Sequence, residues 1–78
     1  MRGNCMIEVR LFAGLREGRG KVFELEANSV SNVLDVMKHF SIRREEVNIL
    51  LVNGFHQKPE YELKDGDVVS LFPAVGDG

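Results

Sequence analysis

Few side chains in this 78-residue chain have a type and spacing suited to chemistry. Cys5 is the only cysteine, so the chain can form neither an internal disulfide nor a cysteine-rich metal site. No nucleophile motif surrounds it, and it reads as an incidental thiol. His39 stands alone on a polar face, and His56 has no partners at triad spacing. What remains is the main chain itself. The sequence closes on Leu71-Phe72-Pro73-Ala74-Val75-Gly76-Asp77-Gly78, an apolar run passing through a proline into small residues and a final glycine. A terminal glycine has no Cβ, so it can thread a narrow crevice and present its carboxylate to another enzyme's active site. Gly78 is therefore the candidate reacting group. Phe72, Pro73 and Val75 would dock in an apolar groove of a partner, with Gly76, Asp77 and Gly78 reaching onward, although Phe72 reads somewhat better as a plain core residue of the last strand. The plainer reading of such a stretch is an ordinary frayed terminus.

Composition narrows the classes. Seventy-eight residues make one domain, near the size where a single core is only marginally adequate. A hydrophobic content of 44% with 28% charged residues is that of a globular chain. The longest strongly apolar run, Ile49-Leu50-Leu51-Val52, is far too short to cross a bilayer. Residues 1–5 do not lead into the apolar stretch of a secretion signal, so a cytoplasmic location is expected. The net charge of −2 argues against nucleic acid as the main partner. That charge is unevenly spread. Residues 60–78 carry five acids against Lys64 alone, whereas residues 1–59 carry nine basic and seven acidic groups. An acidic C-terminal third is either a solvated face or a means of steering the tail towards a basic partner.

The elements that must position the tail are legible from periodicity. Ile7, Val9 and Leu11 alternate with Glu8 and Arg10, which predicts a half-buried strand over 6–12. Residues 13–20 hold three glycines and read as a loop. Phe23 and Leu25 alternate with Glu24 and Glu26 in a second strand over 21–26, and the two should pair as an antiparallel hairpin. Ser29 reads as a helix N-cap. Val30, Val33, Leu34, Met37 and Phe40 then form one apolar stripe at helical spacing, ending near Ser41. Residues 47–52 are continuously apolar apart from Asn48, which suggests a strand buried on both faces. Asn53-Gly54 predicts a tight turn into a short edge strand over 55–58, closed by Pro59. Tyr61 and Leu63 should anchor the next segment, and Lys64-Asp65-Gly66-Asp67 reads as a turn. Residues 68–72 form the last strand, which Pro73 ends. The order β-β-α-β-β-β implies an α+β domain of the β-grasp, or ubiquitin-like, architecture. A mixed sheet of four to five strands would pack on one main helix, with the first and last strands side by side and parallel.

With those residues in place, the chain resembles the MoaD/ThiS family of small sulfur carriers, especially the small subunit of molybdopterin synthase. Residues 7–13, running into Phe12-Ala13, look like that family's first strand. Ser29-Val30-Ser31-Asn32-Val33-Leu34 resembles its helix start, and Leu51-Val52-Asn53-Gly54 its central strand end. The most specific likeness is the run from Leu63 through Asp65-Gly66-Asp67 and Val68 to Phe72-Pro73-Ala74-Val75, followed by a glycine-rich end. The resemblance implies a carrier that is a co-substrate, not an enzyme, and binds no cofactor itself. An E1-like partner would use ATP and magnesium to adenylate the Gly78 carboxylate. A sulfur donor protein would convert the adenylate to a thiocarboxylate, and an acceptor, for example at a large synthase subunit, would take the sulfur. The departure is Asp77, which stands between Gly76 and Gly78 where the family ends in Gly-Gly. Its carboxylate adds negative charge beside ATP phosphates, which Coulomb repulsion disfavours.

Two further readings stay open. Asp77 supports a ubiquitin-like interaction module without terminal chemistry. A protein modifier joined to lysines through Gly78 would share the adenylation step. An iron–sulfur carrier is excluded, because such clusters need several cysteines.

Overall fold

The computed structural model describes residues 5–16, 18 and 20–73. Five strands, β1 (Met6–Leu11), β2 (Val22–Glu26), β3 (Val47–Val52), β4 (Phe55–His56) and β5 (Val68–Pro73), lie in one sheet in the order β2-β1-β5-β3-β4. β1 and β5 run parallel at the centre and every other pairing is antiparallel. One helix, α1 (Val33–His39), crosses one face. This is the β-grasp arrangement expected from the sequence, with the first and last strands as the central pair.

Alternation decides what each face becomes. Ile7, Val9 and Leu11 of β1, Leu50 and Val52 of β3, and Val69 and Leu71 of β5 are buried towards the helix. Val33, Val36 and Met37 meet them from α1, and Val30, Leu15 and Ile42 close the margins. Each such side chain withdrawn from water stabilises the fold by about 1.5–3 kcal/mol, which is what holds so small a domain together. Tyr61 and Leu63 pack against this cluster as anticipated.

The helix begins three residues later than the sequence suggested. Ser29 does not cap it; its hydroxyl donates to the Glu26 carbonyl at 2.7 Å and closes a 3₁₀ turn over Ala27–Ser29. Asn32 is the cap, with Oδ1 accepting from the Asp35 amide at 3.0 Å. The Asp35 carboxylate reaches back to the Ser31 amide at 2.8 Å. The amides of Val33 and Leu34 donate to the carbonyls of Tyr61 and Pro59, at 3.2 and 2.9 Å. A distant loop thus supplies partners for the first turn that a local reading cannot see. The later start also rephases the stripe: Val36, unassigned from periodicity, is fully buried, whereas Leu34 is only half-buried.

Other bounds shift as well. β3 is not buried on both faces: Val47, Ile49 and Leu51 stay half-exposed on the side away from the helix. Residues 13–16 form a 3₁₀ turn whose Leu15 is buried, where a plain loop was expected. β4 is two residues long instead of four. Pro73 remains within β5, opposite Val47, with a register shift between Val47 and Ile49. The Asn53-Gly54 turn has φ of 55° and 87°, the left-handed pair that a two-residue hairpin demands.

Candidate functional site

β5 carries the chain to its C-terminal end, so the root of the tail is built by whatever fixes β5. At its start, the buried Asp67 carboxylate accepts from Asn53 Nδ2 at 3.0 Å and from the Lys64 amide at 2.8 Å. Asn53 in turn accepts from the Val68 amide through Oδ1 at 3.0 Å, and its own amide donates to the Val68 carbonyl at 2.8 Å. The turn Lys64-Asp65-Gly66-Asp67 and the β3–β4 hairpin are thereby clamped to one end of β5. At the other end the Phe12 amide donates to the Leu71 carbonyl at 3.1 Å.

Phe72 is not the core residue the sequence favoured: alternation turns it away from the helix, because Leu71 beside it is fully buried. There its ring stacks on Phe12, with centroids 4.2 Å apart and planes within 10°. Phe72 stands in register with Ile49, and Ser70 with Leu51. Phe12, Phe72, Ile49, Leu51 and Val68 are all half-buried on this outer face, which α1 does not cover. Together they make an apolar strip across the centre of the sheet, the sort of contiguous patch that marks a docking surface. The strip ends where Pro73 leads into residues 74–78.

Of the residues singled out from the sequence, Phe72 and Pro73 therefore stand at the tail's root. Val75, Gly76, Asp77 and Gly78 lie outside the described residues. Sequence reasoning missed Phe12, Ile49 and Leu51 as members of this surface. The signal for Phe12 was present, since the period of two that buries Leu11 places the next side chain on the opposite face.

The side chains with intrinsic reactivity are dispersed. Cys5 is exposed at the sheet's opposite end, and the negative charge of Asp65, reinforced by its hydrogen bond, pushes the thiol pKa upward. A thiol held protonated is a poor nucleophile, which agrees with an incidental role. His39 packs edge-on against Phe40, centroids 4.9 Å apart. His56 borders an open cleft of about 540 Å³ with Gln57, Lys58, Glu60 and Tyr61, where no nucleophile and base converge. Among the described residues no group of three His, Cys, Asp or Glu side chains could hold a metal ion. No helix among them is long and apolar enough to cross a membrane.

Comparison with known proteins gives a consistent result. The profile of the ThiS family matches residues 9–78. A protein described as molybdopterin converting factor subunit 1 from Pyrococcus furiosus has a TM-score of 0.71 and 30% identity, over 90% of this chain and 98% of its own. Small archaeal modifier protein 1 from Haloferax volcanii has a TM-score of 0.73 at 21% identity, over 91% and 99%. Urm1 from Trypanosoma brucei gives 0.70 at 17%, over the whole of both chains. The last two establish likeness of fold alone. No curated protein matches the chain.

Proposed function

Because this chain belongs to the ThiS family, whose profile it matches from residue 9 to residue 78, we propose that it is a sulfur carrier working through its own main-chain terminus. The observation that carries this reading is the apolar strip ending on the Phe12–Phe72 stack, where β5 hands over to the tail. A rigid sheet holds the root, and the five residues after Pro73 can span at most about 17 Å, enough to enter a buried site. The strip docks on the partner while the terminus is inserted.

The chemistry belongs to that partner. A carboxylate is a poor electrophile, since expelling oxide is prohibitive. An E1-like enzyme, using ATP and magnesium, lets a Gly78 carboxylate oxygen attack the α-phosphorus, and pyrophosphate leaves. The acyl carbon now bears AMP as a leaving group. The terminal sulfur of a persulfide on a donor protein attacks it and AMP departs, leaving an acyl disulfide. A second thiol then cleaves the S–S bond, is itself oxidised into a disulfide with the donor cysteine, and releases the terminus with sulfur in place of one oxygen. Preorganised charge in the partner's site stabilises each step. The carrier is then a co-substrate with no bound cofactor of its own, working in the cytoplasm. The likeness to molybdopterin converting factor subunit 1 favours a pterin precursor as acceptor and a large synthase subunit as the second partner.

Intact-mass spectrometry tests the proposal. After incubation with the organism's E1-like enzyme, ATP, magnesium, a persulfide donor and a thiol reductant, the mass should rise by the exchange of one oxygen for sulfur, localised to Gly78. An unchanged mass, for the wild-type chain and for Asp77→Gly alike, would refute it. Asp77, which interrupts the Gly-Gly end, favours a ubiquitin-like interaction module without terminal chemistry, whereas a protein modifier joined to lysines through Gly78 shares the adenylation step. Isopeptide-linked remnants of Gly78 on lysines would establish that outcome instead.

A further inference from the structure

The outer face has a second half beside the apolar strip. On β1 and β2 it carries Glu8, Arg10, Glu24 and Glu26, and the pairing places Glu8 directly opposite Glu24. Like charges in direct cross-strand register destabilise a sheet. Arg10 ion-pairs with Glu8, but among the described residues Glu24 takes part in no ion pair and is exposed on the sheet's edge strand. Nothing in the packing of the described residues requires a carboxylate at position 24, because none of their elements covers Glu24, which is exposed. An arrangement that costs stability without a folding reason is expected where binding is selected.

We propose that Glu24, seconded by Glu8, sets which partner the outer face accepts and in which orientation. The occupant is the adenylating enzyme of the preceding section, presenting an apolar centre over Phe12, Phe72, Ile49 and Leu51 and a basic flank over β2. This inference rests on that reading and adds to it a chemical description of the partner surface. Glu8 stands four residues from Phe12 along β1, so the partner's cations lie about 13 Å from the point where the tail departs. With only the apolar strip, a partner could slide or rotate on the face. A charge set off to one side fixes the rotation, and with it the direction in which the tail enters. The exposed carboxylate of Glu24 on the edge strand β2 also accelerates encounter with a basic surface.

The distinguishing feature is that folding and binding respond with opposite signs. Glu24→Gln removes the repulsion and should raise the melting temperature by about 1–5 °C. Glu24→Lys, which sets an opposite charge across from Glu8, should raise it at least as far. Binding to the organism's purified E1-like enzyme should nevertheless weaken, by roughly threefold to tenfold for Glu24→Gln at low ionic strength and more for Glu24→Lys. The difference from wild type should shrink at high salt, as expected of screened charges. Phe72→Asp serves as the control that destroys the apolar strip. If Phe72→Asp abolishes binding while both Glu24 variants bind like wild type, this inference is overturned and the carrier reading stands. If the wild-type chain itself fails to bind the enzyme, both fall together.

Discussion

Replacing Asp67 by alanine should cost this domain a large part of its stability. The carboxylate is buried and accepts two hydrogen bonds, at 3.0 Å from Asn53 Nδ2 and at 2.8 Å from the Lys64 amide. A hydrogen bond to a charged group contributes about 1.5–3 kcal/mol net. Asn53 and Lys64 are exposed, so water recovers part of what their donors lose. The remaining loss is about 2–3 kcal/mol, which for a chain of this length lowers the melting temperature by roughly 10–20 °C. Asp67→Asn keeps the shape but turns an amide donor towards one of the two donors, and should lose about half as much. Thermal unfolding followed by circular dichroism measures both. Asn53→Ala should destabilise less than additively in combination with Asp67→Ala, because the two side chains share one interaction. A melting temperature for Asp67→Ala within about 2 °C of wild type would refute the view that this clamp fixes β5.

Other consequences are equally open to measurement. Asn32→Ala should cost about 1 kcal/mol through loss of the true helix cap, whereas Ser29→Ala should cost less; the reverse order in thermal melts would contradict the assignment of the helix start. Val36→Ala should destabilise by about 2 kcal/mol, because the methyls it removes are fully buried against the sheet. Cys5 should alkylate more slowly than a free cysteine near pH 8, since Asp65 raises its pKa and lowers the thiolate fraction. Asp65→Asn should speed the reaction, and equal rates would show that the carboxylate does not govern the thiol. Phe12→Ala should weaken docking to the adenylating enzyme while the domain still unfolds cooperatively, as an aromatic pair contributes about 0.5–1.5 kcal/mol beyond its burial.

Much of this architecture was legible from local patterns. Alternation in β1 and β2 assigned Ile7, Val9, Leu11, Phe23 and Leu25 to one face, and Asn53-Gly54 located the hairpin. The Asp65-Gly66-Asp67 turn was recognisable as a turn, but its hold on Asn53 was not, since fourteen residues separate Asn53 from Asp67. The helix start escaped for a similar reason. Ser29 has capping chemistry and Val30 begins an apparent stripe, yet the carbonyls of Pro59 and Tyr61 reward a helix that begins at Val33. In β3 the apolar run misled because its outer residues are not core. Ile49 and Leu51 lie instead on the outer face beside Phe72 and Ser70, where an apolar surface gives the same local pattern as burial on both faces. The Glu8–Glu24 register is likewise invisible until the strands are paired.

Adenylate formation puts the central proposal to its most direct test. With the organism's E1-like enzyme, ATP and magnesium, the wild-type chain should support exchange of label between pyrophosphate and ATP, and a variant extended by one alanine beyond Gly78 should support none. Exchange at the wild-type rate with the extra alanine still attached would contradict the assignment of the Gly78 carboxylate as the reacting group.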